Sequence, residues 1–186
     1  MNAYILVGGR SLRMGASKAE LFLDRVVAAA SPVFDEVLAV NRHDAEPLRT
    51  RTIFEEAHEG EGALFGIARA LADARGHCFI IAVDYPLVTT ALLQFLALQF
   101  EESNAAALVP VWDGMPQPLC AGWDAELALP IVERRIATGD CELRSLIAEI
   151  GAVMIPEADL RARFSGEPLM NVNTPEELAA AERWYG

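Results

Sequence analysis
A strand that is apolar on both faces must be covered on both faces. The run His77 to Val83, H-C-F-I-I-A-V, shows no alternation of apolar and polar residues after its first position. Strands of that kind lie in the middle of parallel sheets with helices above and below. The rest of the chain supplies those helices. Glu20 to Ala30 carries Leu23, Val26, Val27 and Ala30 at helical spacing, Leu64, Ile67, Ala68 and Leu71 define a second face that ends near Gly76, and Leu92, Leu93, Leu96 and Phe100 mark a third within Thr90 to Glu101. Short apolar or β-branched runs at Tyr4 to Val7, Glu36 to Val40, Thr52 to Phe54, Ala105 to Trp112 and Ala152 to Ile155 read as further strands. Alternation of the two patterns predicts an α/β fold with a mainly parallel sheet. A length of 186 residues suits a single domain, 1–186, large enough to bury a core.

The second half departs from simple alternation. Asp113-Gly114 is a strong hairpin signal, and Pro116 and Pro118 make the returning strand an edge or an interrupted one. Asp124 is placed to cap a helix that Pro130 kinks or restarts and that ends before Gly139. Leu143 to Ile150 reads as another helix. Near the end, Thr174 as cap, Pro175 at the first helical position and Glu177 three residues after the cap form a capping box, with a closing helix to about Trp184.

Composition removes several classes of function. At 53% hydrophobic and 23% charged the profile is globular, and a net charge of -12 argues against a broad basic face for nucleic acid. No apolar run approaches the roughly 18 residues of a membrane span, and no basic segment precedes the first apolar run as a signal peptide would require. Cys78, Cys120 and Cys141 are far apart, odd in number and without metal-ligand spacing, so they read as reduced, mostly buried thiols of a cytoplasmic protein.

Candidate chemistry concentrates at strand ends. Tyr4 to Val7 runs into Gly8-Gly9, and Arg10, Arg13 and Lys18 follow within nine residues, around Gly15. Glycine lets backbone approach a ligand closely, and three cations suit a polyphosphate; a plain turn with surface charges is the alternative. The spacing is neither a P-loop nor a dinucleotide fingerprint. Asp84-Tyr85-Pro86 follows the buried run. Ligands in open α/β sheets sit beyond the carboxyl ends of the strands, so Asp84 and the glycine loop fall on one rim. An aspartate there can bind Mg²⁺ together with phosphate oxygens, or cap the next helix. Asn171 and Asn173 before a capped helix are ordinary turn chemistry on their own. His43, His58 and His77 are scattered and propose no site; His58 lies in the acidic stretch Glu55 to Gly62, within reach of a ligand on the rim. No G-x-S-x-G elbow supports a serine hydrolase.

The glycine stretch, L-V-G-G-x-S-x-R-M-G-x-x-K, resembles the signature L-A-G-G-x-S-x-R-M-G-x-D-K of the MobA family of molybdenum cofactor guanylyltransferases, which belongs to a wider group of nucleotidyltransferases. V-D-Y-P resembles that family's D-x-P element, N-V-N-T-P-E-E-L from Asn171 matches its C-terminal motif, Gln117-Pro118-Leu119 resembles Q-P-L-x-A-L, and Gly62 and Gly66 resemble G-P-L-x-G without the proline. The resemblance covers nearly the whole chain. It implies a Rossmann-like three-layer α/β/α fold with one antiparallel hairpin or edge strand. It implies transfer of GMP from Mg-GTP to the terminal phosphate of molybdopterin, releasing pyrophosphate. Arg13 and Lys18 would stabilise the departing pyrophosphate, and backbone N–H groups of Leu6, Val7, Gly8 and Gly9 would hold the nucleotide. Lys18, Asn41, Glu56, Gly62 and Asp84 would complete that site, with Asp84 as Mg²⁺ ligand, and Gln117, Asn171 and Asn173 would face the acceptor.

The Gly8-Gly9 pair favours guanine, because related cytidylyltransferases tend to show A-A-G there. A sister enzyme using CTP or another acceptor, and a non-catalytic nucleotide- or cofactor-binding relative, are the alternatives. Implied partners are GTP, molybdopterin, and molybdenum-insertion proteins or a molybdoenzyme chaperone; neither nucleic acid nor membrane is implied. The chain departs from the family at Ser17, where an Asp is usual, at Ala39, where an Asn is common, and at Glu56, where Asp is frequent. After Lys18, Ala19-Glu20-Leu21-Phe22 leads almost directly into the helix, without the family's L-L-x-x-x-G-x-P-L.

Overall fold
The computed structural model describes residues 1–7, 18–58, 60, 62–173, 177 and 179, and at 18–21 the backbone alone. The glycine loop with Gly8, Gly9 and Arg13, and the closing helix with its cap Thr174 apart from residues 177 and 179, therefore lie outside the described residues, as does the side chain of Lys18. The described elements alternate from the start: β1 Asn2–Leu6, α1 Lys18–Ala30, β2 Val37–Asn41, β3 Thr52–Phe54, α2 Ala63–Ala74, β4 His77–Ala82, α3 Thr90–Glu102 and β5 Ala107–Trp112. There follow β6 Met115–Pro116, β7 Cys120–Asp124, α4 Ala125–Thr138, α5 Leu143–Glu149, β8 Val153–Ile155 and α6 Glu157–Arg161.

These strands make an 8-stranded sheet in the order β3-β2-β1-β4-β7-β5-β6, with β8 added to β5. β1 lies between β2 and β4 and is parallel to both, and β3 continues the parallel set beyond β2. β7 is antiparallel to β4 and β5, so β6 and β7 alone run against the rest. Successive side chains of a strand leave on opposite faces. In β1, Ala3 and Ile5 join the core under α1 and α3, and Tyr4 and Leu6 join the one under α2 and α4. In β4, Phe79 and Ile81 divide from Cys78 and Ile80 in the same way. The apolar run of β4 is thus covered on both sides, and the layers are α/β/α as expected.

In the second half the structure keeps some expectations and changes others. The Asp113-Gly114 hairpin forms, with positive φ at both residues (50° and 68°), the twist that suits paired strands. Its return is interrupted, one of the two outcomes the prolines suggested. β6 is a two-residue edge piece, Pro118 falls in the turn after it, and β7 is an interior strand between β4 and β5. Pro130 does not restart the helix: α4 runs unbroken from Ala125 to Thr138. Its start is fixed by Asp124, whose carboxylate accepts from the N–H groups of Glu126 and Leu127 at 2.9 and 3.2 Å. Its body is fixed by Ala128 and Val132, buried in the core it shares with α2. Packing outweighs the one backbone bond a proline removes. α6 has no counterpart in the sequence reading. Arg161 stacks 4.0 Å from the Trp112 ring and bonds Asp113, while Glu157 accepts from the Gly114 N–H at 2.9 Å, so this helix pins the hairpin tip.

Cys78 and Cys120 are fully buried and Cys141 half-buried; none is in a disulfide. Burial pushes both buried thiols up to about 12, so neither offers a thiolate near neutrality. Ellman's reagent should therefore titrate Cys141 alone in the native protein, and all three thiols after denaturation. Rapid reaction of a second native thiol would contradict this packing.

Candidate active site
The carboxyl ends of β1, β2, β3 and β4 lie side by side, and their connections define the rim where the site residues were expected. Leu6 and Val7 close β1, and both are nearly buried. Val7 donates its N–H to Val40 at 3.0 Å, and the Leu6 carbonyl accepts from Val83 at 3.0 Å. The sheet thus uses the Val7 N–H, which was expected to hold the nucleotide.

Asn41 ends β2. Its Oδ1 accepts from the Arg42 N–H at 3.0 Å and its Nδ2 donates to the Glu46 carbonyl at 3.3 Å, so the amide shapes the turn that follows. Ala39, two residues earlier, is fully buried inside the strand. Of the two positions, Asn41 is the one at the rim.

The acidic stretch after β3 splits by exposure. Glu56 is exposed and lines a cleft of about 380 Å³ between α2 and α4 with Arg69 and Glu133. Asp84 does not line that cleft. Glu55, which no motif singled out, is buried at the rim, and its N–H donates to the Asn41 carbonyl at 2.9 Å. Its carboxylate lies 3.0 Å from His58 Nε2, whose ring stacks on Phe65 with centroids 3.7 Å apart. A Cβ on Gly66 would come within 3.2 Å of the same carboxylate and 3.3 Å of Leu6. Glycine there lets α2 close on the end of β1. Gly62 precedes α2 with φ 128°, a backbone conformation that only glycine adopts without strain. The clue to Glu55 was its place one residue beyond a strand end.

Asp84 follows β4 in a tight turn, with the Tyr85 N–H bonded to the Ala82 carbonyl and the Val88 N–H to that of Tyr85. It is half-buried and its Oδ1 is buried. The decisive contact is made by its backbone: the Asp84 carbonyl accepts from the Val172 N–H at 2.9 Å. Val172 is fully buried, while Asn171 and Asn173 on either side of it are exposed. Asn173 Nδ2 donates to Asn171 Oδ1 at 2.6 Å, and its N–H reaches Glu177 at 2.5 Å. Glu177 therefore turns back on the backbone as a capping box does, one residue before the expected cap. Segments 88 residues apart in sequence (172 minus 84) meet next to the end of β1.

Tyr85 carries the contact onward to Gln117, donating its O–H to Gln117 Oε1 at 2.8 Å. Burial, and then the Asp84 charge, push the Tyr85 hydroxyl well above its ordinary value, so it remains a donor. Gln117 Nε2 donates to the carbonyls of Trp112 and Met115, both at 3.1 Å. Its amide N–H groups are therefore consumed within the hairpin.

Residues 3–153 match the model of the MobA-like NTP transferase domain. The chain belongs to the MobA-like NTP transferase family. A protein of Mycobacterium avium named "Probable molybdenum cofactor guanylyltransferase" is 33% identical over 95% of this chain and 92% of its own length. The crystal structure of molybdopterin-guanine dinucleotide biosynthesis protein A from Archaeoglobus fulgidus superposes with a TM-score of 0.84 at 28% identity, covering 100% of this chain and 98% of that one. A 2-C-methyl-D-erythritol 4-phosphate cytidylyltransferase from Thermus thermophilus shares the fold, with a TM-score of 0.67 at 19% identity over 98% of this chain and 97% of its own.

Nucleotidyl transfer fits a MobA-like rim of this shape. Among the described residues no group of three or more His, Cys, Asp or Glu could hold a metal ion. Mg²⁺ needs no such cage, since it is commonly held by one or two carboxylates with substrate phosphates and water. A hard carboxylate at the end of a central strand is a suitable donor for it, so Asp84 fits the ion. No helix among the described residues is long and apolar enough to cross a membrane.

Proposed function
We propose that this chain transfers GMP from Mg-GTP to molybdopterin, forming the guanine dinucleotide cofactor and pyrophosphate. The observation that carries this reading is the Val172 to Asp84 backbone bond, which brings the D-x-P and N-V-N elements together beside the end of β1. The relatives named as molybdenum cofactor guanylyltransferases support it over most of the chain's length. In this reading an oxygen of the acceptor's terminal phosphate forms a bond to the α-phosphorus as the bond from that phosphorus to the bridging oxygen of pyrophosphate breaks. Phosphoryl-type transfers of this kind depend on positioning and on neutralising charge. Arg13 and Lys18 take the charge that builds on the leaving pyrophosphate, and Gly8 and Gly9 admit the nucleotide's phosphates to the backbone. Asp84 holds Mg²⁺, which supplies Lewis-acid stabilisation of the phosphate oxygens. Asn171 and Asn173, exposed and linked to one another, face the acceptor side. Cytoplasmic location and delivery to a molybdoenzyme chaperone belong to the same reading.

Incubating the protein with molybdopterin and either Mg-GTP or Mg-CTP, and following pyrophosphate, tests it. Release is expected with GTP and only slowly with CTP. Release with CTP alone would replace guanine by cytosine, and nucleotide binding without any release would make the chain a binding protein.

A further inference from the structure
The acceptor needs a pocket as well as a line of attack, and the residue expected to provide it is engaged elsewhere. With Gln117 Oε1 held by Tyr85 and both Nε2 hydrogens held by carbonyls, this side chain sets the shape of a wall. On the outer side of that wall lies a cavity of about 480 Å³, between the β6–β7 connection and α5, reaching Tyr85 directly beyond Asp84. That volume is typical of small-ligand sites. Its sides are apolar, from Pro116, Pro118, Leu119, Leu143 and Ile147, and it carries two charged side chains, Glu142 and Arg144. Arg144 is exposed, and its one described hydrogen bond goes from Nη2 to the Met115 sulfur at 3.3 Å. A thioether is a weak acceptor, and a guanidinium has five N–H donors. Glu142 is held in place through its backbone: its carbonyl accepts from the buried Arg135 at 3.1 Å and from Ser145 at 3.1 Å.

We infer that this cavity is the acceptor subsite, and that Glu142 and Arg144 determine its specificity for a pterin carrying an anionic arm; the inference rests on the transfer reaction proposed above. A pterin is a flat heterocycle that suits a slot with apolar walls. Its amino-pyrimidinone edge presents adjacent N–H donors, which a carboxylate accepts in pairs, and Glu142 meets that edge. Arg144 meets the acceptor's anionic oxygens. Tyr85, spanning the cavity and the Asp84 turn, connects this subsite to the reacting centre.

The test combines kinetics with direct binding. Acceptor and GTP KM values are taken from pyrophosphate release by wild type, R144A, R144K and E142Q, and pterin binding is followed separately by quenching of pterin fluorescence. R144A should raise the acceptor KM about ten- to hundredfold, the usual weight of a charge-assisted hydrogen bond, with GTP KM and melting temperature unchanged. R144K should recover part of the loss. E142Q should weaken pterin binding by about tenfold, because the amide presents a donor to a donor edge. An unchanged acceptor KM in R144A, with wild type turning over normally, overturns the subsite and leaves the reaction standing. Glu142-dependent pterin binding without pyrophosphate release overturns the reaction and supports the subsite. Pterin binding that neither substitution alters overturns the subsite.

Discussion
Asp84→Ala should lower pyrophosphate release from Mg-GTP by about three orders of magnitude, the scale on which a metal-anchoring carboxylate stabilises a transition state. Its effect on stability should be small. The Asp84 carbonyl accepts the Val172 N–H that docks the Asn171–Asn173 segment, and alanine keeps that carbonyl. The turn around it is likewise closed by backbone bonds from Tyr85 and Val88. A melting temperature within about 2–4 °C of wild type is expected, equivalent to about 1 kcal/mol for a chain of this size. Asp84→Asn sharpens the test, since it preserves shape and removes charge. Both variants should lose turnover alike and need far more Mg²⁺ for what remains. If Asp84→Asn keeps wild-type turnover, or if Asp84→Ala loses stability in proportion to activity, the carboxylate is structural and the metal assignment fails.

What was legible in the sequence divides along physical lines. His77 to Val83 could be placed because burial on both faces leaves a periodicity that no exposed segment imitates. The Asp113-Gly114 turn could be placed because positive φ at two successive residues restricts the choice of side chains. β7 could not: C-A-G-W-D is short, contains a glycine and follows two prolines, and only its neighbours β4 and β5 make it a strand. Context of that kind routinely overrides local propensity. Asp84 and the Asn171–Asn173 pair were found as motifs, but the 2.9 Å bond that joins them is a long-range fact with no local signature. Gln117 was found only through a family resemblance, and the structure uses its amide to hold the hairpin. Glu55, Glu142 and Arg144 carry no spacing at all. They become candidates through burial, or through bordering a cavity, and neither property exists before the chain folds.

The second large effect concerns the fold and spares the site. Gly122 in β7 lies under Phe100 of α3, and a Cβ at Gly122 would sit 2.3 Å from Phe100 Cγ and 2.8 Å from its Cβ. Because the Phe100 Cβ itself is in the way, no rotation of the ring relieves the overlap, and α3 must move off the sheet. Phe100 is fully buried, so that movement loosens the core beneath α1 and α3. Gly122→Ala should cost about 3 kcal/mol, at the upper end of overpacking by one methyl, and lower the melting temperature by about 6–12 °C. A double-mutant cycle identifies the cause. Phe100→Ala alone should cost about 3–5 kcal/mol through the cavity it leaves. In that background Gly122→Ala should cost much less, giving a coupling of about 1–3 kcal/mol. Additive costs would place the strain elsewhere. Gly122 pairs with Phe79, early in β4, and Asp84 lies five residues further along, up to about 17 Å away at about 3.3 Å per residue. Well below its melting point, Gly122→Ala should therefore keep the wild-type KM for GTP, the reverse of the pattern expected for Asp84→Ala. A GTP KM that rises with the lost stability would mean that the packing of α3 and the nucleotide rim are one cooperative unit.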